Sequence, residues 1–283
     1  MDVKKIGILG AGQMGAGIAQ IAAKSGYQVV MRDIRQEFCD KGLGTIKGGL
    51  DRQIAKGKAT QEEADAIMAN ISTTVELEGV ADCDMVIEAV PEIMSLKQDT
   101  FRQLGEICRE DAVLVTNTSS MSVTEITKVC KAPERCMGMH FFSPVYAMKL
   151  VEMIRSDVTA DETVETVRTV AQKMGKIPVL CRTDTPGFIV NRCLFAFMLE
   201  AVHCYEDGVA SVEDIDLAIK YGLNHPMGPF EMMDLSGLDT FPHVTEILEQ
   251  LPVTPWKCPD SVQKLIDEGK YGRKTGEGWH KYN

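Results

Sequence analysis

The chain has 283 residues and a net charge of -11. At about 150 residues per domain this length predicts two domains. Hydrophobic residues make up 45% and charged residues 25%, the balance of a soluble globular protein. The acidic surplus argues against nucleic acid and anionic membrane surfaces as partners, since both require clustered basic residues. Nine cysteines, an odd number with no CxxC, predict free thiols of a cytoplasmic protein. The five histidines are scattered without ligand spacing, so no metal site is expected. No apolar run reaches the ~20 residues of a spanning helix. The chain runs from Met1 straight into a strand pattern, and no leader peptide is expected.

Short apolar runs alternate with helical stretches through the first two-thirds of the chain. Strands are predicted at Ile6–Leu9, Gln28–Met31, Met85–Ile87, Val113–Val115, Met137–Phe141, Leu150–Ile154 and Pro178–Leu180. Helices are predicted at Gln13–Lys24, Leu96–Cys108 and Asp161–Lys173. Most of these strands are continuously apolar, the pattern of strands covered on both faces. Strand–helix alternation predicts a parallel, doubly wound α/β sheet of the Rossmann type. Residues 36–70 form a long polar helical insertion with a turn at Gly57. The strands around His140 and Glu152 are joined by too few residues for a crossover helix, which predicts an antiparallel pair. Thr185 as N-cap and Pro186 at the first helical position predict a helix running to about Tyr205, and Ser211 opens another. These features place a boundary near residue 183, between a sheet domain (1–183) and an all-helical C-terminal domain (184–283). The apolar helix through Cys193–Leu199 exceeds what a domain of that size buries, so a homodimer or larger homo-oligomer is expected.

Gly10-Ala11-Gly12-Gln13-Met14-Gly15 lies between a predicted strand and a predicted helix. Gly10 permits the tight turn, Gly12 lets backbone approach a pyrophosphate, and Gly15 lets helix and strand pack closely. The helix N-terminus adds free N–H groups for the phosphates. Asp33 ends the second strand roughly 20 residues on, where a carboxylate binds the adenosine ribose. A dinucleotide is therefore the expected cofactor. Asp33 favours NAD, because it repels a 2′-phosphate, while the flanking Arg32 and Arg35 act against that preference or are simply solvated.

His140 ends an apolar strand, and Glu152 sits inside the next one. An acidic residue in an apolar strand needs a partner. Strand, turn and strand would bring the two together, fixing the imidazole tautomer and leaving one ring nitrogen for acid/base work on an alcohol.

These segments resemble the 3-hydroxyacyl-CoA dehydrogenase family, most closely its short bacterial 3-hydroxybutyryl-CoA dehydrogenases. The resemblance is carried by His140-Phe141-Phe142-x-Pro144, Lys149-Leu150-Val151-Glu152, Asn117-Thr118-Ser119-Ser120 and Asp184-Thr185-Pro186-Gly187-Phe188 through Arg192. Pro226-Met227-Gly228-Pro229-Phe230-Glu231 and Tyr271–Gly278 extend it, so that matches run from residue 6 to residue 281. It implies NAD-dependent oxidation of a short-chain (S)-3-hydroxyacyl-CoA in fatty-acid or butanoate metabolism. His140 would be the acid/base and Glu152 its orienting carboxylate, with Ser119 and Asn191 holding substrate oxygens. It further implies cofactor contacts from Glu92, Lys97, Ser119, Ser143 and Lys274, and coenzyme A phosphate binding by Lys56. Each has a plainer reading: Ser119 as a helix N-cap, Asn191 as a capping or inter-domain amide, Lys274 as a tail lysine, Lys56 as part of a solvated helix face. Ser143 stands where many members carry asparagine; serine is shorter than the amide and has fewer hydrogen bonds to offer.

Two competitors remain at this level. A dehydrogenase of free 3-hydroxyacids would place a catalytic lysine on the helix after Thr185, but no lysine occurs between Lys176 and Lys220. A non-catalytic NAD-binding relative of the crystallin kind would have no use for a His–Glu pair.

Overall fold

Eight segments pair into one sheet, and the backbone groups of its central strands, buried between helices, have only each other as hydrogen-bond partners. The structure, a computed structural model, describes residues 1–236 and then residues 249, 251, 264, 266–271 and 275–277. The strands are β1 (Lys5–Leu9), β2 (Gln28–Arg32), β3 (Ile71–Thr74), β4 (Met85–Glu88), β5 (Val113–Thr116), β6 (Cys136–Phe141), β7 (Leu150–Ile154) and β8 (Ile177–Cys181). Their order is β3-β2-β1-β4-β5-β6-β7-β8, parallel from β3 to β6. The β6–β7 pair is antiparallel as expected, and β8 runs parallel to β7. β3 is an addition to the expected strands.

Alternate residues of the central strands feed two cores, one on each face. Ile6, Ile8, Met85, Ile87, Val113 and Val115 pack with Ile18 of α1 (Gln13–Lys24) and Val167 of α6 (Asp161–Lys173). Val86 and Leu114 pack on the other face with Phe101 and Leu104 of α4 (Met94–Ile107) and Ile126 of α5 (Val123–Thr127). Burial of each such side chain contributes roughly 1.5–3 kcal/mol. The insertion is a helical hairpin, α2 (Gln36–Ala55) and α3 (Gln61–Ala69). Gly57 turns between them at φ +65°, and a Thr60/Glu63 capping box starts α3.

The helix after β8 begins later than expected. Gly187 and Phe188 sit at φ +72° and +51°, left-handed values that no α-helix continues through. Residues 186–189 therefore form a turn, Thr185 caps nothing, and α7 runs over Val190–Glu206. α8 (Val212–Gly222) has Ser211 as N-cap, its hydroxyl accepting from the Asp214 amide, and α9 (Pro229–Ser236) follows. Contacts group the chain into Met1–Leu248, which holds the sheet and α1–α9, and Glu249–Asn283. Within the latter, Lys270 pairs with Glu268 at 3.0 Å and Glu277 at 3.3 Å. No helix among the described residues is long and apolar enough to cross a membrane. All eight described cysteines are free.

Candidate active site

Between β2 and β4 the chain direction of strand connections switches at β1, and there a cavity of about 800 Å³ opens at the carboxyl ends of the strands. Its first wall is the glycine turn. Gly10 has φ +98°, and a Cβ there would lie 2.5 Å from the Ala89 carbonyl. A Cβ on Gly15 would lie 1.8 Å from the Gly10 carbonyl, so helix and turn approach this closely only because residue 15 is glycine. A Cβ on Gly12 would meet nothing within 4 Å; the space in front of this residue is open to a ligand. Gly12 is also the N-cap of α1 and lines the cavity together with Gln13 and Met14. That combination, free backbone beside a helix N-terminus, fits a pyrophosphate.

Asp33 borders the same cavity. Its Oδ2 accepts from the Ala11 amide at 2.8 Å and its Oδ1 from the Ile34 amide at 2.7 Å, which aims the carboxylate. The two neighbouring arginines have other partners. Arg32 Nε donates to the Val75 carbonyl at 3.0 Å, and Arg35 bonds Glu37 at 3.0 Å while lying over the Phe38 ring.

Glu92, Lys97 and Ser119 meet in one polar network along the wall. Glu92 Oε1 accepts from the Ser119 amide at 2.7 Å and hydroxyl at 3.2 Å, and the Thr118 hydroxyl donates to both Glu92 oxygens. Lys97 lies 3.4 Å from Glu92 and 2.7 Å from the buried Glu88. Ser119 is not a helix cap: Ser122 fills that role for α5, its hydroxyl accepting from the Glu125 amide and donating to Asp184 at 2.6 Å.

His140 and Glu152 stand directly opposite one another in the β6–β7 register. His140 Nδ1 lies 2.8 Å from Glu152 Oε2, and both side chains are buried. The other oxygen of the carboxylate is engaged as well. Glu152 Oε1 accepts from the Ile189 amide at 3.0 Å and the Val190 amide at 2.8 Å, the first N–H groups of α7. Accepting two backbone protons and one from the ring, Glu152 leaves Nδ1 as the protonated nitrogen. His140 lines the cavity, and among the described residues its Nε2 takes no bond. Phe142 and Phe188 flank the ring at 4.4 and 5.8 Å between centroids.

The same first turn of α7 adds Asn191, whose Nδ2 donates to the Ser119 carbonyl at 3.3 Å and which also lines the cavity. Ser143 reaches it from the β6–β7 loop, accepting from Gln13 Nε2 at 3.1 Å. That loop is clamped from below. Lys176 Nζ donates to the carbonyls of Val145 and of Met148, the latter at 2.6 Å, and burial holds the ammonium below the usual lysine range. Lys56 is elsewhere: it is the exposed C-cap of α2 and does not line this cavity. Lys274 lies outside the described residues. Sequence reasoning missed Glu88, Thr116 and Thr118, the polar residues that tie this wall together. The signal was there for Glu88, an acid ending an apolar strand as Glu152 interrupts one.

Comparison with known proteins converges on one family. Residues 5–185 match the 3-hydroxyacyl-CoA dehydrogenase NAD binding domain and residues 187–282 its C-terminal domain. A probable 3-hydroxybutyryl-CoA dehydrogenase of Deinococcus radiodurans is 44% identical over 98% of this chain and 100% of its own length. The 3-hydroxybutyryl-CoA dehydrogenase of Clostridioides difficile is 40% identical over 99% of both. The crystal structure of (S)-3-hydroxybutyryl-CoA dehydrogenase from Ralstonia eutropha superimposes with a TM-score of 0.87 at 38% identity, covering 100% of each chain. With the glycine turn, Asp33 and the cavity at the strand switch in place, the chain belongs to the 3-hydroxyacyl-CoA dehydrogenase family and is an NAD-dependent oxidoreductase.

Proposed function

We propose that this protein catalyses the reversible oxidation of (S)-3-hydroxybutyryl-CoA to acetoacetyl-CoA, with His140 and Glu152 as its acid/base dyad. The observation that carries this reading is the 2.8 Å contact between Nδ1 and the buried carboxylate, with the ring facing the cavity. NAD, when bound, supplies the hydride acceptor. In oxidation His140 Nε2 takes the proton of the 3-hydroxyl as the hydride leaves C3. In reduction the protonated ring returns it to the forming alkoxide. Glu152 holds the proton on Nδ1, keeps the Nε2 lone pair available and offsets the charge of the imidazolium. Asn191 and Ser119, at the same end of the cavity, are the groups to hold the substrate oxygens. Glu92 and Ser143 border the cofactor, and Asp33 takes the adenosine ribose, favouring NAD over NADP.

The short acyl chain and the (S) configuration follow the named relatives, and the reaction belongs to fatty-acid or butanoate metabolism in the cytoplasm. Sheet domain and helical domain divide near residue 183, and Lys56 on the helical hairpin, with Lys274, takes part in holding anionic ligand groups. Self-association runs through the helical domain: of the 17 residues of α7 only Met198 and Ala201 are buried, leaving Leu194, Phe195 and Phe197 partly exposed. NADH oxidation measured with 3-ketoacyl-CoA substrates of increasing length tests the function. Absence of turnover with acetoacetyl-CoA would refute it, and a 31 kDa particle by light scattering would refute the dimer.

A further inference from the structure

Glu88 has no part in the reading above, yet it is the most deeply buried acid in the sheet. It ends β4 at 0% exposure, beneath the cavity floor where the β4–α4 and β5–α5 loops leave the sheet. A carboxylate there survives only with its oxygens fully used. Oε1 accepts from the Val90 amide at 2.8 Å and from Lys97 Nζ at 2.7 Å, and Oε2 accepts from the Thr116 hydroxyl at 2.6 Å.

Each partner leads to a wall of the cavity. Val90 and Lys97 line it directly. Lys97 is itself 1% exposed, and its ammonium is committed to Glu88, to the Val90 carbonyl at 3.3 Å and to Glu92 at 3.4 Å. Its protons are thus directed at protein groups, with Glu92 as the one carboxylate partner in the wall. Thr116 Oγ1 accepts from the Thr118 amide, and the Thr118 hydroxyl donates to Glu92. Two routes from Glu88 therefore converge on the Glu92–Ser119 contact.

We propose that Glu88 is a positioning residue for the reaction, acting through Lys97 and Thr116 to set the Glu92–Ser119 pair in the cofactor cavity. Without its charge, Lys97 has Glu92 as its single carboxylate partner and draws it off Ser119. The proposal rests on the reading of this cavity as the NAD site.

The test uses the parent enzyme and four variants, Glu88→Gln, Lys97→Met, the double variant of these two, and Asp33→Ala. Glu88→Gln retains the volume and the acceptor for the Val90 amide. It is expected to remain folded by circular dichroism, to lower kcat/KM for NADH at least about tenfold, and to leave KM for acetoacetyl-CoA within about twofold. If Glu88 acts through Lys97, the double variant is no more than about twofold worse than Lys97→Met in NADH affinity, while its melting temperature rises above that of either single variant, because no buried charge is left unpaired. Three results would overturn the proposal: a Glu88→Gln enzyme within twofold of the parent, penalties that multiply in the double variant, or a double variant that recovers both melting temperature and activity, which a purely structural pair would do. An Asp33→Ala variant with unchanged NADH affinity would instead remove the cofactor reading and the proposal with it.

Discussion

Replacing Glu152 by Gln keeps the outline of the side chain and removes one charge. Oε1 can go on accepting from the Ile189 and Val190 amides, so the start of α7 should be retained. The new amide nitrogen takes the place of Oε2, 2.8 Å from His140 Nδ1, and can only donate there. That forces the ring proton onto Nε2, the tautomer that cannot accept a proton from the 3-hydroxyl. A hydrogen bond to a charged partner is worth about 1.5–3 kcal/mol. Lost from the transition state, it corresponds to roughly a 10- to 150-fold drop in kcat, with the misplaced tautomer adding to it. His140→Ala should cost about 10²–10⁴, the range for a positioned acid/base. The double variant should then be no slower than His140→Ala by more than about twofold, since two residues acting as one unit cannot each remove the same stabilisation. The assay is the gain of NADH absorbance with NAD and (S)-3-hydroxybutyryl-CoA, run beside thermal melts that report folding. Penalties that multiply in the double variant would show that the 2.8 Å contact is structural and that the acid/base assignment is mistaken.

Asp33→Ala should reduce kcat/KM for NADH by more than about tenfold while leaving NADPH use unchanged or improved, because the repulsion of a 2′-phosphate goes with the carboxylate; equal losses with both cofactors would count against the ribose contact. Lys56→Glu should raise KM for the coenzyme A thioester with kcat nearly intact, as expected of a contact remote from the reacting carbon, and an unchanged KM would return Lys56 to the solvated surface. Asp84 gives a pH signature of the fold. Burial pushes its carboxyl up, but the Lys4 and Lys5 amides and the Arg109 guanidinium outweigh this and hold it below its ordinary 3.8. A carboxyl lowered in the folded state stabilises above its unfolded pKa and loses that stabilisation as pH falls through the folded value. The stability gap between parent and Asp84→Ala in urea, about 2–4 kcal/mol from two amides left unpaired, should hold from neutral pH down to about 4 and narrow below it.

The central strands were legible because both of their faces are covered, which makes them continuously apolar. β3 was not, since Ile71-Ser72-Thr73-Thr74 is an edge strand whose polar residues carry no such pattern. The His140–Glu152 pairing followed from two features, an acid in an apolar strand and a connection too short for a helix. What held Glu152's second oxygen was invisible, because it is backbone: the amides of residues 189 and 190 carry no sequence signal. The same blindness shifted the start of α7. Pro186-Gly187 reads equally as a helix start or a turn, and only the left-handed conformation at Gly187 and Phe188 decides it. Pro226–Glu231 was recognised by resemblance alone, and the structure supplies its physical reason. The buried Asp216 accepts from the Phe230 and Glu231 amides and caps α9 from another helix, so closely that a Cβ on Gly228 would meet its carboxylate at 2.1 Å.

The opposed register of His140 and Glu152 sets where this protein can tolerate changes in length. Adjacent strand residues face opposite sides of a sheet, so inserting or deleting one residue within β6 or β7 would turn one partner of the pair to the far face. The connection between the strands is under no such rule at its tip. Val145 is packed against Gly17, and Lys176 grips the carbonyls on either side, but Tyr146 between them is 63% exposed. An extra residue beside Tyr146 bulges into solvent while both strands keep step. Length variation in this region, natural or engineered, is therefore confined to a window one or two residues wide.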